Sequence, residues 1–125
     1  MSTEPGAMDL PAMATRIYEE LGPGYSEAVY HRAFEVILRN KGIPYETERI
    51  VPIVFQGHTI GNLRIDLIVS NTCIIELKAI AKLTDASKIQ TKNYIKMTGL
   101  PQALLVNFPQ TSGVVAPEIL QFGEQ

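Results

Sequence analysis

The sequence predicts an α/β domain. Its central sheet is mixed, a three-strand antiparallel meander plus one parallel strand reached through a crossover helix, with helices flanking it. Three observations predict this. Two N-terminal segments repeat apolar residues at helical spacing. Three apolar runs between Pro44 and Ala79 then follow one another across short turns. Finally, a helix-like segment separates the third run from QALLVNF (residues 102–108), a continuous apolar run of the kind buried at a sheet centre. A helix between two such strands makes them parallel neighbours joined by a right-handed crossover.

In chain order, Asp9 to Leu21 reads as the first helix. Asp9 can cap it, Pro11 is tolerated in its first turn, and Leu10, Met13, Ile17 and Leu21 form one apolar stripe. Gly22-Pro23-Gly24 breaks it. The second helix begins at Tyr25 or Ser26, with Ser26 as N-cap, and runs to Asn40, where Lys41-Gly42 end it. Its apolar stripe comprises Val29, Tyr30, Ala33, Phe34, Val36, Ile37 and Leu38. Pro44 to Phe55 alternates as a half-buried strand on Tyr45, Thr47, Arg49, Val51, Ile53 and Phe55. Gln56-Gly57-His58 is a hairpin turn, and Thr59 to Val69 returns, with Gly61 as the place for a bulge. Asn71-Thr72 turns the chain into a third strand, Cys73 to Ala79. Thr84 and Asp85 cap a helix over Ala86–Thr98, whose apolar residues are Ile89, Tyr94, Ile95 and Met97; Gly99 stops it. Val114 to Phe122 is either a short last strand or an irregular tail.

The totals bound the function. A chain of 125 residues is one domain, here residues 9–125, after a small polar segment, residues 1–8, expected to be disordered. At this length about two-thirds of the unfolded surface can be buried, enough for one core. No apolar run approaches the ~18 residues of a membrane-crossing helix, and the N-terminus lacks the basic start and apolar block of a signal peptide. The lone Cys73 lies in an apolar run and reads as a small core hydrophobe in a reducing compartment. An intracellular, cytoplasmic protein without a membrane partner is expected. The net charge of −2 gives nucleic-acid binding no support in itself, so any such role must rest on local charge.

The chemistry concentrates in LRIDLIVSNTCIIELKA, residues 63–79. Asp66 interrupts one apolar strand, and Glu76 and Lys78 interrupt the next. Strands disfavour Asp, and a buried carboxylate needs a partner or a cation. Residues two apart in a strand share a face, so Glu76 and Lys78 point together, and a neighbouring strand can bring Asp66 beside Glu76. Two carboxylates so placed suit magnesium or manganese, with an attacking water and a lysine to serve that water or a phosphoryl oxygen. The alternative is a structural salt bridge among the same three residues. Glu27, three before Tyr30 and seven before Phe34, lies on or near the buried side of its helix; it is either a site residue or a first-turn acid favoured by the helix dipole. Lys82, Lys88, Lys92 and Lys96, with Lys78, make a basic strip, read either as a solvated helix face or as a ridge tracking phosphates. His31 and His58 both read as exposed, His31 being the nearer to the site.

Several of these motifs together resemble the GxxExxY proteins. The stretch Gly24-Tyr25-Ser26-Glu27-Ala28-Val29-Tyr30 fits the pattern that gives them their name. The similarity continues through Lys41-Gly42-Ile43-Pro44-Tyr45, Arg64-Ile65-Asp66-Leu67, Ile75-Glu76-Leu77-Lys78-Ala79, Gln90 with Asn93-Tyr94, Thr98-Gly99-Leu100 and Leu104-Leu105-Val106-Asn107-Phe108. That family resembles a branch of the PD-(D/E)XK nuclease-like superfamily, with its restriction-endonuclease-like core. The resemblance implies that Asp66, Glu76 and Lys78 form the signature triad, Glu27 is the helix-borne acid, and Gln90 is the polar residue of the crossover helix. Two positions depart from the family pattern, Tyr18 and Ser87, where many members carry histidine.

The function so implied is metal-dependent hydrolysis of nucleic-acid phosphodiester bonds. Asp66, Glu76, the Leu77 carbonyl and Glu27 would hold Mg2+ or Mn2+, Lys78 would serve water or phosphate, and Gln90 would orient. DNA is the expected substrate ahead of RNA. The alternative is a non-catalytic nucleic-acid- or protein-binding module that keeps the nuclease fold. The small size favours that alternative, or a homodimer formed through the first helix or the C-terminal tail.

Overall fold

The computed structural model describes residues 9–123; the expected N-terminal tail lies outside the described residues. Two helices lead, α1 (Leu10–Leu21) and α2 (Glu27–Asn40). The sheet is built from β1 (Tyr45–Phe55), β2 (His58–Val69), β3 (Cys73–Lys78), β4 (Gln102–Asn107) and β5 (Glu118–Gly123), with α3 (Asp85–Thr98) between β3 and β4. The five strands lie side by side in chain order. All neighbours are antiparallel except β3 and β4, which α3 joins in parallel. The mixed α/β architecture read from the sequence is therefore the architecture found.

Alternation along the strands sorts the core into two layers. Leu67, Val69, Ile75, Leu77, Leu104 and Val106 meet α1 and α2, while Ile68, Ile74 and Ala103 meet Tyr94 of α3. The helical layer is fixed by aromatics. Phe108 stacks on Tyr30 at 4.2 Å between ring centroids and packs against Tyr18 at 5.9 Å. All three rings are essentially fully buried. Asp9 caps α1 as expected, accepting from the Ala12 amide at 3.1 Å. Thr84 caps α3 through the Ser87 amide at 3.2 Å.

Three expectations need correction. One member of each helical stripe lies outside the core: Leu21, Val36 and Ile89 are exposed. The side of α3 that is buried carries Ser87, Thr91 and Tyr94, because Thr91 Oγ1 donates to the Ser87 carbonyl (2.9 Å) and Thr84 Oγ1 lies 3.1 Å from Ser87 Oγ. The half-buried face expected along β1 does not reach its end. β3 pairs only with Leu67, Ile68 and Val69 of β2. Beyond them β1 and β2 continue together as a two-stranded arm that leaves Ile50, Val54, Phe55 and Ile60 exposed. Gln56 (φ 48°) and Gly57 (φ 81°) turn its tip as a type I′ hairpin. The register shifts at Ile53/Val54, opposite Gly61 and Thr59, which makes Ile60, next to Gly61, the bulged residue.

The segment the sequence left open is strand β5. Glu118 anchors its start, accepting from the Leu83 amide (2.9 Å) and from Asn107 Nδ2 (2.8 Å). A groove of about 940 Å³ runs between α1 and α2, bordered by Leu21, Val36 and Ile37; none of the candidate site residues lines it. No described helix is long and apolar enough to cross a membrane.

Candidate active site

The site begins where two strands part. The β2–β3 ladder runs through Val69–Cys73, Ile68–Ile74 and Leu67–Ile75 and then stops. The next two residues are Asp66 and Glu76, and their side chains take over from the backbone. The Asp66 amide donates to Glu76 Oε2 at 2.9 Å, and the Leu77 amide donates to Asp66 Oδ2 at 2.8 Å. Each carboxylate thus accepts from the strand opposite. Asp66 is also skipped in the β1 ladder, which pairs Thr47 with Leu67 and Arg49 with Ile65 on either side of it. Opposite it Glu48 adopts φ 56°, a left-handed conformation that costs a non-glycine residue about 1–2 kcal/mol. Strand alternation breaks at the same point, since Ile65 and Ile68 join one core layer. The carboxylates sit at a deliberate irregularity rather than along a regular strand.

Burial dominates their electrostatics. Glu76 is only 4% exposed. Burial, and then the neighbouring Asp66 carboxylate, push its pKa up to about 8, against the Asp66 amide and Lys78. Burial likewise raises Asp66, against the Leu77 amide and the influence of His31, Lys78 and Arg64. Among the described residues neither acid forms an ion pair. The salt bridge that the sequence allowed as an alternative is therefore not what holds these groups together. Lys78, the last residue of β3, stands near enough to act on both carboxylates through space. The Leu77 side chain is buried in the opposite layer, as alternation required.

The remaining predicted residues are more loosely gathered. Glu27 is the first residue of α2 and is exposed; its charge adds to the upward push on Glu76. It does not complete a tight acidic cluster: no group of three His, Cys, Asp or Glu side chains among the described residues is disposed to share a metal ion. Gln90 is half-buried on α3, one turn before Tyr94, whose hydroxyl donates to the Arg64 carbonyl at 3.3 Å. The lysine strip turns elsewhere. Lys88, Lys92 and Lys96 lie about 160–240° around α3 from Gln90 at ~100° per residue. Lys92 sits 5.8 Å over the Phe122 ring of β5, and Lys88 approaches Asp85 at 3.8 Å. Lys82 is exposed in the connection before α3.

Sequence reasoning missed Arg64 beside Asp66, and it placed His31 nearer the site than His58 but read it as exposed. His31 is half-buried rather than exposed, because its Nε2 lies 2.8 Å from Thr47 Oγ1 and 3.2 Å from Glu35 Oε2. The usable signal was its spacing, four residues after Glu27 on the same helix face. Arg64 stands two residues before Asp66 on β2, where alternation alone would have brought it to the same side. His58 is exposed, as expected. Tyr18 and Ser87, at the two departures from the family pattern, are structural: the buried Tyr18 hydroxyl donates to the Pro109 carbonyl at 2.5 Å, and Ser87 is held against Thr84.

Comparison with known proteins gives a family and a fold. The family model of the PD-(D/E)XK nuclease superfamily matches residues 7–118. No curated protein sequence matches. Among solved structures, the chain is similar to the crystal structure of SSO0001, with 20% identity, a TM-score of 0.60, and coverage of 78% of this chain and 50% of that one. The chain thus spans about half the length of that protein, and the likeness is one of fold. An alkaline exonuclease, LHK-Exo from Laribacter hongkongensis, is matched with 14% identity and a TM-score of 0.43 over 98% of this chain and 83% of that one. With a family match over nearly its whole length, on a mixed sheet whose central strands part at an Asp–Glu pair, the chain belongs to the PD-(D/E)XK nuclease superfamily.

Proposed function

We propose that this chain, as a GxxExxY-type member of its superfamily, is a divalent-metal-dependent nuclease that hydrolyses nucleic-acid phosphodiester bonds. The observation that carries the reading is the Asp66–Glu76 pair, a half-buried and a buried carboxylate side by side, with no ion-pairing partner among the described residues. Such a pair is costly unless it is protonated or binds a cation. Its donor chemistry fits: hard oxygen ligands suit Mg2+ or Mn2+. Asp66, Glu76 and the Leu77 carbonyl would hold the ion, with Glu27 closing the shell from α2. When bound, the ion supplies an activated water and a counter-charge for the phosphoryl oxygens. Lys78, at the open end of β3, orients that water or neutralises charge developing on phosphate. Gln90 faces the substrate from α3. Phosphates beyond the scissile one meet the cations of Lys82, Lys88, Lys92 and Lys96, and DNA is the substrate favoured over RNA.

Calorimetric titration with Mg2+ and Mn2+, with Asp66→Ala as control, tests the metal. A cleavage screen over single-stranded and duplex DNA and RNA, wild type against Lys78→Ala, tests the chemistry. Binding that Asp66→Ala abolishes, with cleavage that Lys78→Ala abolishes, is the expected result; titrations that show no binding by the wild type would sink the reading. The distance of Glu27 from a tight acidic cluster favours one second reading, a nucleic-acid-binding module that retains the fold without turnover. Its signature is retention of DNA by the wild type with no product under any metal. Homodimerisation belongs to either reading and is read by light scattering.

A further inference from the structure

The pattern Gly24-x-x-Glu27-x-x-Tyr30 has a physical explanation that its acid alone does not provide. The side chain of Gln110, just beyond β4, reaches both ends of the pattern. Its Oε1 accepts from the Gly24 amide at 2.8 Å, and its Nε2 lies 3.2 Å from the Tyr30 hydroxyl and donates to the Phe108 carbonyl at 2.9 Å. The orientation of the carboxamide is fixed by chemistry, because the Gly24 N–H can only donate and the Phe108 carbonyl can only accept. Tyr30 donates its own hydroxyl proton to the Gly22 carbonyl at 2.7 Å, so its oxygen is left to accept from Gln110. Gly24 has φ 110°, a conformation that side chains rarely adopt, so the loop needs glycine where Gln110 grips it.

The backbone beneath this clamp belongs to the site strands. The Phe108 amide donates to the Lys78 carbonyl at 2.9 Å, and the Gln110 amide to the Ile80 carbonyl at 3.2 Å. One side chain therefore joins the end of β3, which carries Glu76 and Lys78, to the loop that opens α2. Glu27 sits midway between the two gripped positions. The Ser26 side chain makes no capping hydrogen bond, so the start of α2 depends on contacts of this kind for its placement.

We propose that Gln110 is a positioning residue for Glu27, setting where that carboxylate stands relative to Asp66 and Glu76. The proposal rests on the metal reading above, and its test separates the two. Amide hydrogen exchange is measured on the metal-free full chain, and Mn2+ affinity by calorimetry, for wild type, Gln110→Met, Glu27→Gln and the double variant. Gln110→Glu is the second variant, equal in size but unable to donate to Phe108. The Gly24 amide should exchange at least about tenfold faster in Gln110→Met, which has no acceptor for it, than in Gln110→Glu, which keeps one, while the Leu105 amide is unchanged in both. Mn2+ affinity should fall about tenfold in Gln110→Met, as in Glu27→Gln, and the double variant should be no weaker than Glu27→Gln. A merely structural role would instead weaken binding equally with and without Glu27. That additivity would overturn the proposal, as would acceleration of Leu105 along with Gly24. If the wild type binds no metal, the nuclease reading falls, and unchanged Gly24 exchange in Gln110→Met would overturn the clamp separately.

Discussion

Glu76 is the residue on which stability and function pull in opposite directions. Its carboxyl titrates near pH 8 in the folded protein against an ordinary value of 4.5. Between these values the folded chain holds a proton that the unfolded chain has released, so stability falls as pH rises. Asp66 is shifted in the same direction and adds to the slope. Urea unfolding in EDTA should therefore show the protein most stable near pH 5 and weaker by a few kcal/mol at pH 8, at about 1.4 kcal/mol per pKa unit as an upper bound. Glu76→Gln should flatten most of that dependence, and a slope that the variant leaves intact would assign it to other groups. Tyr18 makes the contrasting case. Its buried hydroxyl serves the Pro109 carbonyl and no candidate ligand. Tyr18→Phe leaves that acceptor unsatisfied and should cost about 1–3 kcal/mol in the same assay while leaving metal affinity unchanged.

At the scale of elements, the strands were legible because their signals are local. The turns at Gln56-Gly57 and Ser70-Asn71 both use left-handed residues, and the meander between them follows from their spacing. The crossover was legible from the helix between two apolar runs. What the residues did not disclose came from tertiary context. Ile89 is exposed while Ser87 and Thr91 are buried, because short hydroxyl side chains can satisfy themselves on their own helix and let α3 approach the sheet closely. The acid pair was visible as charge in apolar strands, but the parting of β2 from β3 that makes it a pair was not, since no residue type announces where a ladder stops. β5 was undecidable because its apolar content is thin; it is held by Glu118 and by backbone fit. A side chain on Gly123 would place its Cβ 2.1 Å from the Pro101 carbonyl oxygen, at a φ of 89°. Gly123→Ala should therefore detach the end of β5 from β4. Faster amide exchange at Leu120 and Phe122, with β3 unaffected, is the expected outcome; unchanged protection would mean the strand shifts without loss.

At the scale of the molecule, an acidic chain of net charge −2 must meet a polyanion through local charge. Two sets of cations are available, and the fold separates them. Lys78 and Arg64, with His31 beside them, lie near enough to act on Asp66 through space. Lys88, Lys92 and Lys96 share the other side of α3, where Lys88 is engaged by Asp85 and Lys92 by Phe122 of β5. Under the proposed function the first set would bear on the scissile phosphate, and the second could only extend the footprint of a long ligand. The two roles differ in salt dependence, since each phosphate neutralised on duplex DNA adds about 0.9 to the slope of log affinity against log salt. Changing Lys88, Lys92 and Lys96 together to Gln should lower that slope by at most about 2.7, and by less because of the existing partners. Mn2+ affinity should not change, because none of the three approaches the carboxylates. Fluorescence anisotropy with a labelled duplex at graded salt measures the slope directly. An unchanged slope would make the strip a solvated helix face and confine nucleic-acid contact to the neighbourhood of the acid pair, where Arg64 and Lys78 would be left to bind the backbone alone.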